Sequence, residues 1–130
     1  MKKTGFIFLM LVIILTIFAE EIQVEKVETV VADSIQTPQI TFIELGSVNC
    51  VPCRMMQPVM KQIEEAYAGT VKVLFYDVWE KENKKIAKQY GIKVIPTQVF
   101  LDESGKEFFR HKGFFSKEEI VELIDKQLKR

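Results

Sequence analysis

The sequence predicts an α/β domain in which a mixed central sheet is flanked by helices and rests on a hydrophobic core. Three observations carry this expectation. Residues 40–45 and 71–78 form short, nearly all-apolar runs, the pattern of strands buried on both faces. A helix-period segment separates them, and the last third of the chain reads strand, turn, strand, helix. The resulting order, β-α-β-α-β-β-α, implies a parallel pair joined by a right-handed crossover and a final antiparallel hairpin.

Element by element, Ile40-Thr41-Phe42-Ile43-Glu44-Leu45 is the first buried strand. After Cys53, residues Met55, Met56, Val59, Met60, Ile63 and Tyr67 recur at helical spacing up to Gly69, and Pro58 is expected to kink that helix. Residues Val71 to Val78 make the second strand, and Asn83 to Tyr90 a short helix stopped by Gly91. The third strand is expected from Val94 to Leu101, broken by Pro96. Asp102-Glu103-Ser104-Gly105 then turns the chain into a strand from Glu107 to His111. Ser116 followed three residues later by Glu119 is a capping box opening the last helix, whose apolar face is Ile120, Leu123, Ile124 and Leu128.

Ahead of this domain lies an address. Met1-Lys2-Lys3 is positive, residues 5–19 hold 13 apolar residues in 15, and Glu20-Glu21 follows. Positive before and acidic after leaves the N-terminus in the cytoplasm and exports the rest. Residues 1–19 read as a signal peptide or a membrane anchor. Ile17 fits poorly at −3 of a cut after Ala19, and the run is short against the roughly 17–25 residues a span needs, so both stand. Residues 20–38 form a linker, ending at Pro38, with a first strand or helix expected at Val27–Val31. Residues 39–130 are the folded domain.

Composition narrows the function. In 130 residues, 18 Lys+Arg balance 18 Asp+Glu; with a pI near 6.6, the chain lacks the basic footprint of a general nucleic-acid binder. One His and two Cys cannot close a four-ligand zinc site from those residue types alone, nor build a multi-disulfide scaffold. The cysteines are therefore free for chemistry, with no metal expected. They stand as Cys50-Val51-Pro52-Cys53, where a buried strand turns into a helix. Unsatisfied N–H groups and the dipole at a helix start favour an anion, and thiolate is the nucleophilic form of cysteine. Three residues on, Cys53 lies one turn away on the same face, within reach of a disulfide. Pro52 suits an early helical position. A purely structural bridge closing so short a loop would constrain little of the unfolded chain, which favours a pair that cycles between dithiol and disulfide.

Residues 46–58, from Gly46 through Cys50-Val51-Pro52-Cys53 to Pro58, resemble the active-site strand and helix of the thioredoxin family. Tyr90-Gly91-Ile92-Lys93-Val94-Ile95-Pro96-Thr97 resembles that family's second motif, and Gly113 also matches. The similarity covers roughly residues 39–129. It implies a thioredoxin-like fold with a short N-terminal portion, in which Cys50 attacks a substrate disulfide and Cys53 resolves the mixed disulfide. It also implies a cis peptide between Ile95 and Pro96, facing the cysteine pair. The family's tryptophan-bearing segment before the first cysteine is replaced here by Gly46 to Asn49, and Gly-Pro between the cysteines by Val-Pro. Its buried acid falls at Glu44, and the lysine that commonly accompanies that acid aligns with Val73.

An unpaired carboxylate at Glu44 in a buried sheet is costly. Either its pKa is raised, fitting it to exchange a proton with Cys53, or it sits at a strand end and reaches solvent; with the resemblance, the proton-relay role is expected. His111 is read as an exposed edge-strand side chain, and Met55, Met56 and Met60 as helix-face packing. Trp79 is expected to pack with Tyr76 around the sheet end, and the charged residues of 81–88 to line a solvated helix face.

The expected protein is an extracytoplasmic (periplasmic or cell-envelope) thiol-disulfide oxidoreductase, free or membrane-anchored. It would exchange a Cys50–Cys53 disulfide with protein substrates. The competing reading is a binding or structural module whose disulfide stays closed. No His between the cysteines stabilises a thiolate, and a charged Glu44 beneath them would disfavour one. Both point to a reductant, near thioredoxin's about −270 mV rather than the about −120 mV of a strong oxidant. Since the chain carries no NADPH or flavin fingerprint and no cofactor is expected, electrons would come from a membrane partner.

Overall fold

A computed structural model of the chain describes residues 37–130. The expected signal peptide or anchor and the strand or helix expected at Val27–Val31 lie outside the described residues. Within them, β1 (Ile40–Gly46), α1 (Val51–Ala66), β2 (Val71–Asp77), α2 (Lys84–Gln89), β3 (Thr97–Asp102), β4 (Glu107–Lys112) and α3 (Lys117–Leu128) follow in the expected order, with a 3-10 turn at Lys81–Asn83 leading into α2. This is the thioredoxin-like fold that the resemblance implied. Among the described residues, no helix is long and apolar enough to cross a membrane.

The four strands are ordered β2-β1-β3-β4. Parallel β1 and β2 pair from Ile40↔Val71 to Gly46↔Asp77. Antiparallel pairing joins β1 to β3, with Glu44 opposite Gln98 and Leu45 opposite Thr97, and β3 to β4. Central β1 is covered on both faces, which is why six of its seven residues are buried. Strand alternation sorts its side chains into two cores. Ile40 and Phe42 pack with Met56, Met60 and Ile63 of α1, Phe100 of β3, and Ile120 and Ile124 of α3. Ile43 and Leu45 pack with Val78 and Val99 on the opposite face, against Ile86 and Ala87 of α2. Cross-strand partners Phe42 and Phe100 stack with ring centroids 4.6 Å apart, a contact stabilising by about 0.5–1.5 kcal/mol beyond area burial.

The helix ends follow local rules. Ser116 accepts from the Glu119 backbone N–H while the Glu119 carboxylate accepts from the Ser116 N–H, completing the capping box of α3. Gly91, with φ +62, closes α2 in the left-handed conformation that glycine adopts without steric cost.

Several expectations need correction. The third strand starts at Thr97, not Val94. The Ile95–Pro96 peptide is cis; Pro96 has no N–H for a ladder, and Thr97 Oγ1 donates to the Val94 carbonyl at 2.8 Å, so residues 94–96 bend before pairing begins at Thr97. Pro58, expected to kink the helix, lies inside α1, which continues through it as one element; it stands on the exposed face, where water can meet the carbonyl it leaves unpaired. Trp79 is 55% exposed rather than packed at the sheet end, and Met55 is exposed while Met56 and Met60 enter the core. His111 is half-buried, its ring stacked on Phe115 at 4.2 Å and its Nε2 3.1 Å from the Phe114 carbonyl. The charged residues of 81–88 are exposed, as expected, and Lys84 Nζ donates to the Val78 carbonyl.

Candidate active site

Strand β1 ends at Gly46, and four residues lead into α1. Cys50 is the N-cap of that helix, in extended conformation, and makes no side-chain cap; its sulfur is thus left for other chemistry beside the unpaired N–H groups of the first turn. Pro52 occupies an early helical position, where no N–H is required. Cys50 is half-buried and Cys53 fully buried, and both are free thiols. Burial foremost, then the hydrogen bond with Cys50, pushes the Cys53 thiol up to about 12, against a lowering backbone hydrogen bond from Ser47.

Glu44 is wholly buried two residues before the strand ends, not at solvent. Burial raises its carboxyl to about 7, partly offset by the hydrogen bond that Gln98 Nε2 donates to Oε2 at 2.9 Å. Its other oxygen, Oε1, has no hydrogen-bond partner among the described residues. Gly46 explains how acid and thiol share a space: a Cβ there would come within 3.0 Å of Cys53 Sγ and 3.4 Å of Glu44 Oε1. Both atoms line the gap that the missing side chain leaves open. No other residue type would leave it.

Ile95 and Pro96 reach the same level by register. Leu45 pairs with Thr97, which brings buried Pro96 to the Gly46 end of β1, and the Pro96 carbonyl accepts from the Gly113 N–H at 2.8 Å. Half-buried Ile95 precedes it. The fold therefore draws Glu44, Cys50, Cys53, Ile95 and Pro96 to one end of the sheet. His111 shares the sheet face of Glu44 but is engaged with Phe114 and Phe115.

Two parts of the site escaped the sequence reading. Asp77, at the end of β2, accepts from the Val48 N–H at 2.9 Å, the Trp79 N–H at 3.0 Å and the Ser47 hydroxyl at 3.2 Å. The Val48 N–H foremost holds its carboxyl below the ordinary range. Ser47 Oγ in turn accepts from the Asn49 N–H at 3.2 Å, and the Cys50 N–H donates to the Ser47 carbonyl at 3.1 Å. One carboxylate thus pins the loop that delivers Cys50. A carboxylate at the C-terminal end of a parallel strand, where α/β sites gather, was the available signal. Gln98 is the second: a polar residue inside the apolar run of β3 has to find partners.

Comparison with known proteins agrees with this arrangement. A family model described as a thioredoxin-like domain matches residues 26–128. Thioredoxin of Staphylococcus aureus is 30% identical over 89 residues, 68% of this chain and 83% of that protein. Among solved structures, chloroplastic thioredoxin z superposes with a TM-score of 0.64 at 26% identity, covering 84% of this chain and 93% of that one. A mutant thioredoxin from Halobacterium salinarum gives 0.62 at 24% identity, over 75% and 81% of the two chains, a likeness of fold.

Proposed function

Since the chain belongs to the thioredoxin family, we propose that it is a thiol-disulfide oxidoreductase that works outside the cytoplasmic membrane as a reductant of protein disulfides. The observation that carries the chemistry is one constellation. A half-buried cysteine caps a helix, a buried cysteine hydrogen-bonds to it, and an unpartnered carboxyl oxygen shares the second sulfur's space.

In the first step, the Cys50 thiolate attacks one sulfur of the substrate disulfide. A mixed disulfide forms, and the other substrate sulfur leaves as a thiolate that takes up a proton. Cys53 cannot attack while its proton is held, and with its thiol pushed up to about 12 it needs a base. Glu44 fills that role: raised to about 7, it is poised near neutral pH, and Oε1 is the free acceptor on the Cys53 side. Deprotonated Cys53 then attacks Cys50 Sγ, closing the Cys50–Cys53 disulfide and releasing the second substrate sulfur. Two electrons pass from the dithiol to the substrate. A charged Glu44 beside Cys53 disfavours its thiolate, and so holds the closed disulfide as the preferred end state, as a reductant requires.

Substrates of protein type are favoured by the surface around the pair. Val48, Val51 and Met55 beside the cysteines, Val94 before Ile95 and Phe114 after Gly113 are exposed apolar side chains, suited to an unfolded or extended segment. The backbone at Ile95 and Pro96 is proposed to bind that segment by strand addition. Export is inferred from the Lys2-Lys3 start, the apolar run of residues 5–19 and Glu20-Glu21. A membrane partner would then return electrons to the pair.

The test is a pair of variants assayed with a protein disulfide. Cys50→Ala should abolish exchange, while Cys53→Ala should accumulate a covalent adduct with the substrate, because attack persists and resolution does not. Identical behaviour of the two variants, with no adduct, would refute the assignment.

A further inference from the structure

Glu44, Gln98 and His111 are register partners on β1, β3 and β4, and side chains of directly opposed residues lie on the same face. Gln98, fully buried in the middle of this row, donates twice from Nε2: to Glu44 Oε2 at 2.9 Å and to the Gly113 carbonyl at 3.0 Å. The second bond decides which way the amide faces. Turned over, Gln98 would set its own Oε1 against the Gly113 carbonyl, two acceptors with no proton between them. Nε2 therefore faces Glu44 in both protonation states of that carboxyl. An oxygen that receives a fixed N–H does not carry a proton pointing back at it. The acid form consequently bears its proton on Oε1, the oxygen with no partner, on the side of Gly46 and Cys53.

We propose that Gln98 is a positioning residue: held by the Gly113 carbonyl, its amide keeps Glu44 Oε2 as an acceptor and confines the exchangeable proton to Oε1, beside Cys53. This rests on the relay role assigned to Glu44 above and names the group that orients it. Among the described residues, the groups facing Glu44 are few. Helix α1 brings Cys53, with Cys50 behind it; β3 brings neutral Gln98. The partner on β2 is Phe75, and on β4 the ring of His111 is turned to Phe114 and Phe115.

The experiment uses the full chain in detergent, labelled with 13C at glutamate carboxyls. In the wild type, the Glu44 carboxyl and the Gln98 side-chain amide protons should titrate with one midpoint. In Gln98→Leu, loss of a charge-assisted bond should move the Glu44 midpoint upward by about one pH unit. The pH profile of Cys53-dependent resolution should move with it. In a Glu44→Gln background the same substitution should leave that profile in place. An unmoved midpoint in Gln98→Leu, or an equal shift of the profile in the Glu44→Gln background, would overturn the proposal. If Gln98→Leu does not fold, Gln98→Met and the wild-type amide titration decide, and amide protons indifferent to Glu44 count against it. A wild type that exchanges no disulfide would refute the oxidoreductase reading instead; the two titrations need no turnover and still decide the role of Gln98.

Discussion

Glu44 should make the folded protein lose stability as pH rises toward neutrality, the reverse of what most carboxylates do. Its carboxyl sits at about 7 in the fold against 4.5 for the ordinary group, chiefly because burial penalises the charge. The native state then binds the proton more tightly than the unfolded chain. Its contribution is fully present below about pH 4.5, declines as pH rises, and is gone above about pH 7. At 1.36 kcal/mol per pH unit, that gap corresponds to roughly 3 kcal/mol. Asp77, Asp102, Glu107 and Glu119 are shifted the opposite way, so their contributions disappear only as pH falls below the ordinary carboxylate range, outside this window. Urea unfolding of the reduced chain and of Glu44→Gln, at several pH values between 4.5 and 8, isolates the effect. With a slope of about 1 kcal/mol per molar urea, the wild-type midpoint should fall by about 2–3 M relative to the variant across the window. The variant should be the more stable protein at pH 8. A wild-type-minus-variant difference that stays constant with pH would show that the carboxyl ionises freely and that the burial argument is wrong.

Two further outcomes follow from the loop and the gap beside it. Asp77→Ala removes the acceptor of the Ser47 hydroxyl and the Val48 and Trp79 N–H groups. It should cost about 2–4 kcal/mol, since leaving donors unpaired costs about 1–3 kcal/mol each and water reaches some of them. Thermal melting reads the loss, and an unchanged melting temperature would contradict the clamp. Gly46→Ala inserts a methyl group 3.0 Å from Cys53 Sγ, so it should destabilise by about 1–3 kcal/mol through overpacking and slow resolution of the mixed disulfide more than its formation. Stopped-flow exchange separates the two steps, and equal slowing of both would argue against a shared space.

The strand and helix order was legible because each element carries its own period, and the cysteine pair because its place between a buried strand and a helix start is local. What escaped reading depends on register. Gln98 and Glu44 lie 54 positions apart and meet only because β1 and β3 pair as they do; from the chain alone, Gln98 is a polar interruption in an apolar run. Asp77 is similar: the parallel register sets it opposite Gly46, within reach of the loop before Cys50. The start of β3 was misread because apolar content continues through Val94 and Ile95 while the backbone, lacking a donor at Pro96, does not join the ladder. The packing of Trp79 with Tyr76 at the sheet end fails one residue past buried Val78, where the chain leaves the ladder in a turn and Trp79 stands exposed.

The site also straddles the two halves of the chain. Glu44, both cysteines and Asp77 belong to the β1–α1–β2 half, whereas Pro96, Gln98 and Gly113 belong to the β3–β4–α3 half, and the halves join along the β1–β3 seam. Closing that seam means joining distant segments, a slower event than forming the local β3–β4 hairpin. During synthesis, the first half reaches the end of α1 with two thiols and an acid, but the amide that orients the acid and the Ile95–Pro96 turn are still to come. Until then both thiols and the acid are present, but the acid has no fixed orientation toward Cys53. The chemistry of the pair is thus completed by a segment that contains neither cysteine.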